Sequence, residues 1–168
     1  MLGKTYDGQI CSVARTLELV GERWTLLIVR DALLGITRFD GFLSRLGIAR
    51  NVLADRLNGL VDNGILDRVQ YQDRPPRYEY HLTGRGRELL PVIVTLTEWG
   101  DRYLAGPAGP PREFEHAGCG EHVVSQLACA AHGPLPLSEI ASRPGPGSPS
   151  RAASAAASPG PGRGAPRG

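Results

Sequence analysis

The sequence predicts a mainly α-helical fold that closes with a small β-hairpin, and three observations carry that expectation. Apolar residues between positions 10 and 62 recur with helical spacing. After Gly64 the period changes from 3.6 to 2. Residues 37–82 therefore read, in order, as helix, tight turn, helix and hairpin. That order is the ground plan of a winged helix-turn-helix, in which the second helix can enter the major groove of DNA. A small Cys/His-containing segment and a disordered tail are expected to follow it.

The elements follow in chain order. Ile10, Val13, Ala14 and Leu17 share one helical face, with Arg15, Glu18 and Glu22 opposite, and Gly21 ends that helix. Trp24 to Leu34 is almost continuously apolar, as expected at the centre of a small bundle, and Gly35 stops it. Thr37 and Asp40 form a T-x-x-D start signal. Phe39, Phe42, Leu43 and Leu46 then fall at i, i+3, i+4 and i+7, and Gly47 supplies a turn. Leu53, Leu57 and Leu60 form the inner stripe of the next helix, and Asn63-Gly64 suits its C-cap.

In the hairpin, Val69 and Tyr71 alternate with Arg68 and Gln70, and Tyr78, Tyr80 and Leu82 with Glu79 and His81. Gln72-Asp73-Arg74-Pro75-Pro76 looks too long and too proline-rich for a tight turn, and so predicts a projecting wing loop. From Thr83 a last helix carries Leu89, Leu90, Ile93, Leu96, Trp99 and Tyr103, with a kink or restart expected at Pro91.

Composition sets the outer limits. The 168 residues can bury one good core, with a remainder too small for a second full domain. The boundaries read as 1–104 for the winged helix and dimerisation region, 105–111 for a linker, 112–143 for the Cys/His extension and 144–168 for the tail. The tail contains only Pro, Gly, Ser, Ala and Arg, which cannot bury enough apolar surface to order it. Net charge is only +2, and residues 1–104 hold 14 Lys+Arg against 13 Asp+Glu. Any nucleic-acid-facing positive surface must therefore be local. No stretch is long enough to span a bilayer, and the start lacks the apolar core of a signal peptide. With three widely spaced cysteines, the expectation is a reducing cytoplasm and nucleoid association.

The helix after Gly47 carries the site. Its outward first-turn residues are Ala49, Arg50, Asn51, Ala54 and Asp55. Arginine can fork onto guanine and asparagine onto adenine, so Arg50 and Asn51 are the leading base-reading candidates, with Ala54 and Asp55 beside them. Arg38, Arg56, Arg74 and Arg77 are cast as phosphate contacts at the helix edge and wing. The plainer alternative is that these are solvated polar positions on ordinary helices.

These residues lie within a wider pattern. Cys11-Ser-Val-Ala-Arg, Glu22-Arg-Trp-Thr-Leu-Leu-Ile, Arg38-Phe39, Leu53-x-x-Arg56-Leu57, Tyr78-Glu-Tyr-x-Leu-Thr83, Leu90-Pro91 and Glu98-Trp99-Gly100 occur in this order over about residues 9–104. The chain thereby resembles the HxlR-type bacterial transcription regulators, relatives of the MarR-type winged-helix proteins. The resemblance implies a homodimer joined through the first and last helices, here Ile10, Leu17, Ile93, Leu96, Trp99 and Tyr103. It further implies two recognition helices on a pseudo-palindromic site, usually repressing, with a small-molecule or oxidant effector in some members. Ala49 stands where that family often has a capping serine, and Asn51 where a basic residue is common. In some members the cysteine matching Cys11 senses oxidants through a disulfide across the dimer, for which Arg15 would help stabilise a thiolate. The plainer expectation for Cys11 is a small residue buried on the first helix.

A second pattern lies downstream. His116, Cys119, Cys129 and His132 form two x2-spaced pairs with nine residues between them, a donor set suited to structural Zn²⁺, and His122 competes as a ligand. No phosphate-cradling glycine loop and no Ser/His/Asp or paired-carboxylate arrangement stands out, so no enzyme is expected. The reading is a sequence-specific DNA-binding regulator. Its alternative is a winged-helix protein-interaction module without DNA binding, since fold does not fix function.

Overall fold

The computed structural model describes Tyr6 and residues 11–148; Ile10 and the tail from position 149 lie outside the described residues. Helix α1, Ser12–Val20, ends at Gly21 as the sequence predicts. Helix α2, Thr25–Leu33, is entered through Trp24, whose φ of 81° lies in the left-handed region. α2 is the central helix: Ile28 and Val29 are fully buried, and it packs against α3 (Phe39–Leu46), α4 (Arg50–Asp62), the hairpin and the last helix. The helical stripe read from the sequence is the core, since Phe42, Leu53, Leu57 and Leu60 are buried with Ile65, Leu66 and Tyr80.

One polar group sits inside that core. The Asp31 carboxylate is fully buried and is paired by Arg30 at 2.8 Å and Arg45 at 3.3 Å, which ties α2 to α3. A carboxylate at such a place requires paired charge. Two half-exposed arginines supply it while their guanidinium groups keep contact with water.

Two local expectations give way to tertiary structure. Thr37 and Asp40 do not cap α3; its N-cap is Arg38, with no side-chain cap. The Thr37 carbonyl instead accepts the Tyr80 amide at 2.7 Å, and Arg38 bridges Glu79 in antiparallel fashion. The hairpin edge needs partners for its amides, and the entry to α3 provides them.

The expected long wing loop is also replaced. Strands β1 (Leu66–Asp73) and β2 (Pro76–Leu82) run almost to the tip, leaving Arg74 and Pro75 as a two-residue turn joined by a cis peptide bond. Pro76 opens β2, where a missing amide costs little. The Gln72 side chain donates to the Arg74 and Pro75 carbonyls, and Gln70 to Asp73, so glutamine amides knit the turn together. A register shift between Gln70 and Gln72 marks a bulge.

After the hairpin the Thr83 hydroxyl accepts the Gly86 amide and caps a short helix α5, Gly84–Arg87. The chain restarts as α6, Leu90–Leu104, with Pro91 in its first turn, where the sequence places the break. Ile93 is buried in the core of the same chain and so is not part of an outward dimer face. The C-terminal segment lies against the helical region through Phe114, which packs on the core, and through Ser125, which donates to Glu98. It holds the short strands β3 (Ala128–Cys129) and β4 (Gly133–Pro134) and a 3-10 turn at Leu137–Glu139.

Candidate nucleic-acid interface

The turn between α3 and α4 is set by Gly47, whose φ of 62° is one that glycine adopts without strain. Ile48 is then buried and fixes the angle at which α4 leaves. α4 begins after Ala49 with no side-chain cap, so its first amides face outward at the positive end of the helix dipole. An open helix N-terminus of this kind suits phosphate.

The predicted contact residues divide into two groups. Arg50, Asn51 and Asp55 are exposed on α4, and Ala54 is partly covered. Arg50 is held at rest by Asp40 at 3.1 Å and lies over the Phe39 ring at 5.6 Å. Both partners of that ion pair are largely in water, where such pairs are worth about 0–1 kcal/mol, so DNA can displace Asp40 at small cost. Arg74 and Arg77 are exposed at the wing tip, with no ion pair among the described residues.

Arg38 and Arg56 sit differently from the phosphate contacts expected of them. Arg56 points away from the first turn of α4 and pairs with Glu22 at 2.9 Å, linking the helix to the α1–α2 junction. Arg38 pairs with Glu79 at 2.9 Å and lies 4.7 Å over the Tyr71 ring, bracing the wing. The Arg38 guanidinium, by hydrogen bond and charge, holds the Glu79 carboxyl below the usual carboxylate range, and His81 adds to the effect. On the other face of the hairpin Arg68 lies 4.4 Å over Tyr78. No signal local to the sequence marks Asp40, Glu22 or Glu79 as partners of Arg50, Arg56 and Arg38, because each pair is made by chain segments meeting in space.

Cys11 is exposed, not buried as the plainer expectation had it. It occupies the N-cap of α1, where the nearby backbone amides of Ala14 and Val13 lower its thiol pKa from the ordinary value. On the dimer-candidate faces, Leu17, Leu96, Trp99 and Tyr103 are all exposed, and Trp99 and Tyr103 pack ring against ring at 5.3 Å. In the C-terminal segment His116 contacts Cys119 and Cys129 contacts His132, but among the described residues no three such groups gather at one centre.

Comparison with known proteins agrees with this geometry. Residues 19–107 match the model of the HxlR-like helix-turn-helix family. The uncharacterised HTH-type transcriptional regulator Rv3095 of Mycobacterium tuberculosis is 47% identical over 147 residues, which cover 87% of this chain and 92% of that protein. Among solved structures, PA1607, described as a candidate transcription factor, superposes with a TM-score of 0.73 at 35% identity, covering 81% of this chain and 96% of its own. PA1374 of Pseudomonas aeruginosa, described likewise, gives 0.59 at 40% identity, over 82% and 94%. No helix among the described residues is long and apolar enough to cross a membrane. The chain therefore belongs to the HxlR-like helix-turn-helix family of DNA-binding transcriptional regulators, which are not enzymes.

Proposed function

We propose that the protein is a homodimeric repressor that reads a pseudo-palindromic operator, placing one α4 in the major groove of each half-site. The observation that carries this reading is the pairing of exposed Arg50 and Asn51 in the uncapped first turn of α4 with exposed Arg74 and Arg77 at the wing tip. Arg50 and Asn51 read bases, Ala54 and Asp55 border them, and Arg74 and Arg77 grip phosphate. Arg38 and Arg56 act through Glu79 and Glu22 as braces of the reading head. The dimer forms through Leu17 and the Leu96, Trp99 and Tyr103 face of α6, large apolar side chains that a single chain leaves exposed to water. Cys11, exposed and acidified, is the group through which an oxidant would act.

The test is an anisotropy titration against DNA from around the protein's own gene, across a salt series. Wild-type binding should weaken steeply with salt. Arg50→Ala should cost about 1–3 kcal/mol and relax sequence preference. Arg74→Ala should weaken all sequences alike and reduce the salt slope by about 1. If wild type binds this DNA no better than random DNA, and selection from a random pool enriches nothing, the operator reading fails. The protein-docking alternative then takes its place.

A further inference from the structure

The C-terminal segment contains two short hairpins, and both turn through the same motif. In the first, the His116 amide donates to the Glu121 carbonyl and the Val123 amide to the Phe114 carbonyl, each at 2.8 Å. In the second, Ala128 and Cys129 pair with Pro134 and Gly133. Each tip carries a ligand-type residue, two spacers, a second ligand-type residue and a glycine: His116-Ala-Gly-Cys119-Gly120 and Cys129-Ala-Ala-His132-Gly133. Gly120 and Gly133 have φ of 76° and 74°, so both turns fold back in the same way and bring their two side chains together.

The resulting distances carry chemical information. His116 Nδ1 lies 3.1 Å from Cys119 Sγ, and His132 Nδ1 lies 3.5 Å from Cys129 Sγ. With Zn–S near 2.3 Å and Zn–N near 2.0 Å, the sulfur–nitrogen edge of a tetrahedral zinc shell is about 3.5 Å. Each tip thus already holds half of such a shell, and both offer the same ring nitrogen.

The segment has few other means of holding itself together. Val124, Leu127, Leu137 and Ile140 are exposed, and Phe114 is its one hydrophobic residue packed on the core among those described. A segment of this size needs a staple.

We propose that the two hairpin tips close on a single Zn²⁺ per chain, held by His116, Cys119, Cys129 and His132. The tips stand apart in this structure, so binding moves one against the other. Residues 124–126 separate the hydrogen-bonded arms at Val123 and Leu127, and Ser125 is held on Glu98, so the two tips close about that anchored point. On binding, each thiol gives its proton to solvent and its sulfur lone pair to the metal, while each neutral imidazole donates through Nδ1. Two thiolates neutralise the ion, and four protein ligands leave no open position, so the site is structural.

The measurement is zinc content of the full chain, purified in reductant, loaded with Zn²⁺ and dialysed. One zinc per chain is expected, with C119S and C129S each retaining less than roughly a tenth of it and H122A retaining all of it. Co²⁺ in place of Zn²⁺ should give the visible bands of a tetrahedral ion and a thiolate charge-transfer band, the latter absent from the doubly substituted C119S/C129S chain. Wild type that keeps no zinc after loading overturns the proposal, as does full zinc retention in C119S/C129S. Half an equivalent per chain overturns it in favour of an ion shared between two chains. Because wild-type stoichiometry alone can decide against the site, a variant that failed to fold would not protect it.

Discussion

Cys11 shows how one residue's setting changes its chemistry. A thiol at a helix N-cap meets free amides, here those of Ala14 and Val13, and these favour the thiolate. Alkylation of Cys11 by a small maleimide, followed by mass spectrometry against pH, should therefore show a midpoint below that of a free cysteine peptide. Arg15→Ala should leave most of that shift in place, since the amides, not the arginine, cause it. A midpoint equal to the peptide's would remove the basis for thiol chemistry here. Arg50 illustrates a different point at the same scale. Its partner Asp40 lies beside it in the free protein, so in the proposed base-reading role Arg50 exchanges a weak, solvated ion pair for its DNA contact.

At the scale of elements, the hairpin and the helix after it depend on close backbone approach. A Cβ on Gly86 would lie 2.2 Å from the Ile65 carbonyl oxygen, and neither backbone can yield easily. Gly86→Ala should lower stability by about 1–3 kcal/mol in denaturant titration, with the wing displaced along with α5. The wing's ion pair makes a pH-dependent contribution. Because the folded Glu79 pKa lies below its unfolded value, its share of stability is present above the usual carboxylate range. That share is lost as pH falls through the folded pKa. Denaturation midpoints of wild type and Glu79→Gln should differ near neutrality and converge in acid; a constant gap would show that Glu79 acts by shape alone. These cases also mark what the sequence can reveal. The apolar stripe through Phe42, Leu53, Leu57 and Leu60 and the glycine stops are local signals and were legible. So were Arg50 and Asn51 as outward groups on α4. The Arg38–Glu79 and Arg56–Glu22 pairs join residues 41 and 34 positions apart, and no periodicity records such meetings. Thr37 misled because a good local cap lost to the hairpin edge, and the wing turn misled because glutamine side chains supplied bonds that its prolines could not.

For the molecule as a whole, the exposed Leu96, Trp99 and Tyr103 face of α6 and the exposed Val13 and Leu17 on α1 are surfaces that a lone protomer leaves in water. Trp99→Glu should convert a dimer to monomer in sedimentation equilibrium and weaken operator binding at least tenfold, while the unfolding midpoint of the monomer changes little. A dimer that persists would move the interface elsewhere. The stitch between Thr37 and Tyr80 bears on how such a dimer is controlled. With the entry of α3 fastened to the hairpin at that seam, the wing and α3 move together, and in the proposed dimer each reading head acts as one jaw of a caliper. In that proposed dimer an effector would act on the gap between jaws, against half-sites about 34 Å apart. Operators with one base pair added at the centre would gauge that gap directly, and a change in preferred spacing on oxidation would be the caliper's movement.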